Sequence, residues 1–475
     1  MDRLLAPFLL LLPSPAAART LSVQDAVQLA LEHDRMVQAA EHGVDKADAD
    51  AAGALLGLGP GLSVAGTYMR LGTIPYVEFD MSEYSSGGSS CDGITEDDVP
   101  PGWTLDAVVQ LCEMITGWMS GSGEPTRIEM GLADNYSVTA TVQQVLFAGG
   151  ALWSARRAAV DLREASEEQL RLARQQAAYG AEQGFYGLLL VRDAARVTGE
   201  AQVTVDAYVQ DLSNLASVGM ASQADLLAAQ ARQSQTRLDA LRAAHGSELA
   251  EMVFKVTLGL PADEPLDLLV DDLPPVGDLP RDAAALRDLA ISRRPDLAAL
   301  DRSLDAMEHY ARASRASWLP SLVLQGDLGW KNPDYSLEPN WYRTSDLVLA
   351  ASWSLWDRGQ ALTRTRAMRA SRAQLAAQRS LLADMLGVEI RSALSTFDEA
   401  AVEVEVATAG LAQASESLRM EQERFQQGMA NNTQILAAQA ALAGARLARL
   451  QAETKLRTSH AALRKAAGVD PGVNP

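Results

Sequence analysis

"GMASQADLLAAQARQSQTRLDALRA", Gly219 to Ala243, returns at Gly428 to Ala452 as "GMANNTQILAAQAALAGARLARLQA". Twelve of the 25 positions are identical, and the same offset of 209 carries Phe147 to Gly150 (FAGG) onto Trp356 to Gly359 (WDRG), and Gly259 onto Gly468. Three anchors with one offset define an internal duplication. Upstream the offset widens to 260, carrying Leu29 and Ala30 onto Leu289 and Ala290, and Pro60 onto Pro320. The first copy therefore holds an insertion of 51 residues between Pro60 and Phe147. A repeat of about half the chain is too long for a solenoid unit and suits a doubled membrane or bundle protein.

Outward from the repeated stretch the pattern is helical. No proline occurs from Thr126 to Leu260 or from Asn340 to Asp470, and alanine dominates both runs. Larger residues such as Leu162, Leu170, Tyr179, Phe185 and Leu212 recur at spacings that suit packing against a neighbouring helix. Each copy is thus expected to hold an antiparallel helical hairpin, at 150–259 and 359–467, with its turn at Gly219 or Gly428. Shorter helices are expected at Leu21 to Leu31, capped by Ser22, at Arg35 to Leu56, at Asp282 to Ser292 and from Asp296 onward.

Beside the helices the period changes to two. Leu62, Val64, Gly66 and Tyr68 alternate with small or polar residues, as do Tyr136, Val138, Ala140 and Val142. Leu322, Leu324, Gly326, Leu328 and Trp330 do the same, and so do Leu347, Leu349, Ala351, Trp353 and Leu355. These give four strands in two hairpins, at about 61–71, 136–147, 321–330 and 345–356. Their length and single apolar face suit transmembrane β-strands, with Tyr68, Tyr136, Trp330, Trp353 and Trp356 placed for an interfacial aromatic belt. The competing expectation is a soluble sandwich that buries the same face.

The loop 72–135 carries 12 acidic side chains and one basic, Arg127, and holds both cysteines. Cys91 and Cys112 are expected to pair, closing a loop in an exported chain. Its acidic groups lack EF-hand spacing. Between the copies, "PADEPLDLLVDDLPPVGDLP" reads as an irregular linker, 261–281, and 469–475 as a tail.

Residues 1–18, "MDRLLAPFLLLLPSPAAA", read as a cleaved secretory signal: one arginine, a short apolar run, and small residues at Ala16 and Ala18. No later stretch is apolar enough for a membrane helix. The net charge of −20 makes nucleic acid a poor partner. The five histidines are scattered, no metal, nucleophile or phosphate-binding motif is present, and neither a cofactor, a resident metal nor an enzymatic activity is expected.

The motifs "QQVLFAGG" (Gln143 to Gly150), "SWSLWDRGQ" (Ser352 to Gln360), "RRPDLAAL" (Arg293 to Leu300) and "GMASQADLLAAQ" resemble the TolC family of outer-membrane efflux proteins (outer membrane factors). The resemblance covers the chain from about Leu21 to Gly468. It implies a mainly α fold with a transmembrane β-barrel: a homotrimer in which four strands per chain close a 12-stranded barrel in outer-membrane lipid, and the duplicated hairpins form a periplasmic α-barrel. Its function would be the exit duct of a tripartite efflux or type I secretion system, joined to a periplasmic adaptor protein and an inner-membrane transporter. The helix turns would be the periplasmic entrance. Where family members carry a polar latch this chain has Phe425, Ala430 and Gln434, while Asp225 follows the first turn, read either as an entrance residue or as a solvated residue after a turn. The alternative is a soluble periplasmic coiled-coil scaffold or adhesin.

Overall fold

The computed structural model describes residues 19–79, 91, 94–99, 103–119, 126–129, 131–269, 280–334, 338–427, 429 and 432–469. The expected signal, 1–18, and the turn residues Gly428 and Ala430 lie outside the described residues, as does nearly all of the tail. The chain divides into a helical unit (up to Ala54, Trp153–Arg315 and from Arg358) and a strand unit (Leu55–Leu152 and Ala316–Asp357).

The helical unit opens with a short strand, β1 (Arg19–Leu21), then α1 (Val23–His33) and α2 (Arg35–Leu56), which runs on into the strand unit. Ser22 caps α1 in a reciprocal box: its Oγ accepts from the Asp25 N–H at 3.1 Å, and Asp25 Oδ2 accepts from the Ser22 N–H at 3.0 Å, an arrangement that stabilises a helix start by about 1 kcal/mol. After α3 (Leu105–Met119), which belongs to the strand unit, the first long hairpin is α4 (Ala151–Ser217) and α5 (Gln223–Thr257). The second half supplies α6 (Ala283–Arg293), α7 (Pro295–Ala316), α8 (Gln360–Gln426) and α9 (Asn432–Ala466). At 67 residues each, α4 and α8 are about 100 Å long. Both ends of α8 and of α9 fall 209 positions after those of α4 and α5, and both ends of α6 and α7 fall 260 after those of α1 and α2.

The packing repeats with the elements. One core gathers Ala30, Phe185, Phe254 and Leu258; the other gathers Ala290, Leu463 and Ala467, with Leu394 packed against it. At either offset these are the same positions. Where the first copy has Phe254, the second has Leu463, and the partner helix compensates. A Cβ at Gly184 would sit 2.8 Å from the Phe254 ring, whereas the matching position beside the smaller Leu463 is Ala393. Overpacking such a site costs about 1–3 kcal/mol, so the large residue and the glycine are retained together.

Glu251 on α5 accepts from Arg192 Nη2 at 2.7 Å and lies 2.7 Å from Lys255 Nζ. Burial pushes its carboxyl up, but the hydrogen bonds from Lys255 and Arg192 more than offset this and hold it below the usual value. Because the folded-state value is the lower one, the stabilisation is complete above the ordinary Glu value of about 4.3 and is lost as pH falls through the folded value. Glu251→Gln is therefore expected to lower the urea midpoint near neutral pH and to converge with the parent chain once the pH has fallen through the folded-state value; far-ultraviolet circular dichroism reads both.

The strand unit is built on one antiparallel sheet of four strands, β2 (Gly61–Arg70), β5 (Asp134–Ala148), β7 (Ser321–Asn332) and β8 (Tyr342–Ser352), in the order β2-β5-β7-β8. The strand expected over 345–356 starts earlier and stops at Ser352. Ser352 pairs with Ser321, the first residue of β7, and the preceding Pro320 has no N–H to extend the ladder. The Trp353 Nε1–H turns away and donates to the Trp318 carbonyl at 3.0 Å.

Two further expectations are corrected. The segment 72–135 is not merely a loop. It contains β3 (Tyr76–Phe79) paired with β4 (Thr126–Glu129), a short 3-10 turn at Glu96–Asp98 and α3 (Leu105–Met119), with Cys91 joined to Cys112. The linker 261–281 is not wholly irregular, since β6 (Leu266–Leu268) pairs in parallel with β1. Leu21 belongs to β1 rather than to the first helix because its backbone is engaged by this pairing, and its side chain is buried.

Candidate functional site

Residues directly opposite on neighbouring strands share a face of the sheet. One row reads Leu62, Val142, Gly326, Leu347; the next reads Ser63, Thr141, Asp327, Asp346. The sheet therefore has an apolar face and a polar face. On the polar face Thr141 Oγ1 donates to Asp327 Oδ1 at 2.6 Å, and Gln325 Nε2 donates to Asp327 Oδ2 at 2.8 Å. Asp327 lies directly across from Asp346, a like-charge pairing that only a well-solvated surface tolerates at low cost. On the apolar face Leu62, Val64, Leu347 and Leu349 are exposed in the single chain. Among the described residues no further strand pairs with the outer edges of β2 and β8.

The turn of the first long hairpin is the second candidate. α4 ends with Met220 N–H donating to the Leu215 carbonyl at 2.8 Å and Gly219 N–H to the Ala216 carbonyl at 3.1 Å. Gly219 has φ +78, the left-handed conformation in which this pair of hydrogen bonds closes a helix end and for which glycine carries no Cβ penalty. Ser222 then caps α5 by accepting from the Asp225 N–H at 3.2 Å. In the second hairpin the Met429 N–H donates to the Arg424 carbonyl at 2.8 Å, the equivalent bond.

Near this tip Val205, Val209, Leu212, Leu226 and Ala229 are buried together, with Tyr208 and Leu436 packed against them. Tyr208, Asp211, Leu212, Asn214, Leu215 and Phe425 line a cleft of about 420 Å³. Among the described residues the buried Tyr208 hydroxyl has no hydrogen-bond partner. Burial, followed by the charge of Asp225, pushes its pKa up to about 12. Of the expected entrance residues, the structure brings Phe425 into this cleft and sets Asp225, half-buried, within electrostatic reach of it; Gln434 is exposed. Tyr208 was not singled out in the sequence. Its signal is an aromatic hydroxyl eleven positions before Gly219 in an alanine-rich helix. The disulfide pair lies in the strand unit and shares nothing with the cleft. Among the described residues no group of three or more His, Cys, Asp or Glu side chains could hold a metal ion, and no helix is long and apolar enough to cross a membrane.

An antiparallel sheet with one apolar and one polar face has the pattern of an outer-membrane strand protein. A family model described as outer membrane efflux protein matches residues 116–250 and 286–469. The chain belongs to that family, and is an outer-membrane protein with a large periplasmic portion. It is 25% identical over 241 residues to the alkaline protease secretion protein AprF of Pseudomonas aeruginosa, covering 49% of each chain. It is 29% identical over 203 residues to protein CyaE of Bordetella pertussis, covering 42% of each. These matches span less than half the length of the curated relatives. The fold is similar to the crystal structure of the Campylobacter jejuni CmeC outer membrane channel, with TM-score 0.74 at 16% identity over 95% of this chain and 87% of that one.

Proposed function

We propose that the chain is one subunit of a homotrimeric outer-membrane exit duct, serving a tripartite efflux or type I secretion system. The observation that carries this reading is the sheet: apolar on one face, polar on the other, with the outer edges of β2 and β8 unpaired among the described residues. Unpaired backbone groups at an open edge are not tolerated in lipid. Four strands are too few to close a barrel, and three copies would make 12. The apolar face then meets lipid and the polar row through Asp327 and Asp346 meets water. The helical hairpins continue the duct through the periplasm as an α-barrel, and there contact an adaptor protein and, through it, an inner-membrane transporter. Transport is passive, needs no cofactor and makes or breaks no bond, so the protein is not an enzyme. AprF, by its name a secretion protein, supports a secretion-type cargo.

In this reading the tips at Gly219 and Gly428 form the periplasmic entrance, with Asp225, Phe425, Ala430 and Gln434 around it. Closure rests on packing about Phe425 and Tyr208 rather than on a polar latch.

Two measurements test the proposal. Fractionation is expected to recover a heat-modifiable trimer in the outer membrane, whereas release by osmotic shock would favour the periplasmic scaffold. In planar bilayers the purified trimer is expected to conduct, with a reversal potential on the cation side, because three copies set six carboxylates, Asp327 and Asp346, on the lumen wall. Asp346→Asn is expected to reduce that preference. A pore that prefers anions would overturn the lumen assignment.

A further inference from the structure

The apolar face of the sheet is not apolar throughout. Among the described residues of its four strands, the charged side chains that fall on this face are Arg70, Asp134 and Arg343. All three lie toward one end. The chain enters or leaves its helices beside Gly61, Ala148, Ser321 and Ser352, so the charges sit at the opposite end of the strands, away from the periplasm.

Two of the three charges answer each other. Arg70 Nη1 lies 3.4 Å from Asp134 Oδ1, and the Tyr68 hydroxyl donates to the same oxygen at 2.8 Å. Arg343 is different. It is exposed, and among the described residues its side chain makes no ion pair or hydrogen bond. Trp330 lies directly across from it on β7. Trp341 stands two residues before it, with its ring 6.3 Å from that of Tyr136, which in turn stacks on Tyr68 at 5.0 Å. Both tryptophans are about half exposed, 44% for Trp330 and 54% for Trp341.

An uncompensated guanidinium on a surface that faces lipid requires a counter-charge at its own depth. Arg343 is four residues from Leu347 on β8, or about 13 Å along the strand. A strand tilt of about 40° converts this to about 10 Å of height in an apolar band about 25 Å tall. With Leu347 near the middle of that band, the backbone at Arg343 is close to its outer edge, and the long side chain reaches the headgroups. Tryptophan is favoured at the same level. The outer leaflet of such a membrane presents phosphate monoesters on an acylated disaccharide, and a guanidinium offers two parallel N–H donors that match phosphate oxygens.

We propose that Arg343, flanked by Trp330 and Trp341, binds a phosphate of the outer-leaflet glycolipid, one molecule per copy. The proposal rests on the lipid-facing assignment of the apolar face made above and gives that face a ligand. The indole rings supply a flat apolar surface for the sugar and the first carbons of its acyl chains, and the guanidinium supplies the charge. An arginine that reached only for water would show no preference among lipids.

The test titrates the purified parent protein in detergent with bisphosphorylated lipid A, and with the same lipid after both phosphates are removed, counting bound lipids by native mass spectrometry. The parent is expected to prefer the phosphorylated form at least tenfold. Arg343→Gln is expected to abolish the preference, while Arg343→Lys, which keeps the charge and loses the fork, retains part of it. Inorganic phosphate at the same concentration is expected to leave the lipid bound; full displacement would mean a site for a free anion and would overturn the lipid assignment. Equal binding of the two lipid forms by the parent overturns the site whether or not the variants assemble, and so does an undiminished preference in Arg343→Gln. A dye on Leu347→Cys addresses the face itself, Cys91 and Cys112 being already joined to each other. In lipid vesicles it is expected to be quenched by a nitroxide carried on the acyl chains. Absence of quenching overturns the lipid-facing assignment and the site with it, whereas quenching without a phosphate preference overturns the site alone.

Discussion

Arginine in place of Leu347 is expected to abolish the heat-modifiable trimer and to empty the outer membrane of the protein. Leu347 is central in β8, on the row with Gly326 and Val142, and is 77% exposed in the single chain. If that surface faced water, the substitution would exchange an exposed apolar residue for a charged one, and exposed positions move stability by no more than about 0.5 kcal/mol. If it faces lipid, the guanidinium sits near the middle of the apolar band at a cost of about 2–4 kcal/mol. That corresponds to a loss of roughly 30-fold to nearly 1,000-fold in the assembled fraction. The neighbouring residue is the control. Asp346 points to the opposite face, so Asp346→Arg is expected to leave the trimer in place and to alter only its ion preference. Equal tolerance of arginine at both positions would mean that the two faces of the sheet see the same solvent. Urea titration of the trimer in lipid vesicles, with heat-modifiability as readout, measures the difference.

The two offsets made most of the helical architecture legible, because a duplicated chain states each boundary twice: Pro60 against Pro320, Gly259 against Gly468. Four strands were legible for a different reason, since an alternation such as Leu62, Val64, Gly66 and Tyr68 has a period no helix shares. What escaped was short or camouflaged. β1 and β6 are three residues each, too few for any periodicity, and their pairing joins segments more than 240 positions apart. α3 carries an apolar helical spacing, but it lies within a segment whose acids and glycines dominate its composition. At the end of β8, Trp353 and Leu355 continue the alternation after the partner strand has run out, so pattern alone overshoots. The tip cleft was legible only in part. Phe425 was reached through a family resemblance, and Tyr208 stayed hidden because an aromatic residue at helical spacing reads first as core.

The contact between the halves of the chain gives the second large effect. Glu182 has a side chain only 9% exposed, and both its oxygens accept from Arg464. Arg464→Ala leaves a buried carboxylate without its partner, a change that costs about 3–5 kcal/mol. The reverse truncation, Glu182→Ala, is expected to cost less, because the Arg464 side chain is 24% exposed and its guanidinium can turn to water. Replacing the pair together, Glu182→Leu with Arg464→Met, is expected to recover most of the loss, since neither charge then remains buried. The ranking of the two single truncations distinguishes this account from one in which Arg464 contributes packing alone, since only the buried carboxylate makes the loss of Arg464 the more costly of the two. Urea unfolding of the detergent-solubilised protein, parent and variants, measures that ranking. If Arg464→Ala and Glu182→Ala cost the same, and the double replacement recovers nothing, the two side chains act as spacers between α4 and α9, and the charge they share contributes nothing to the junction.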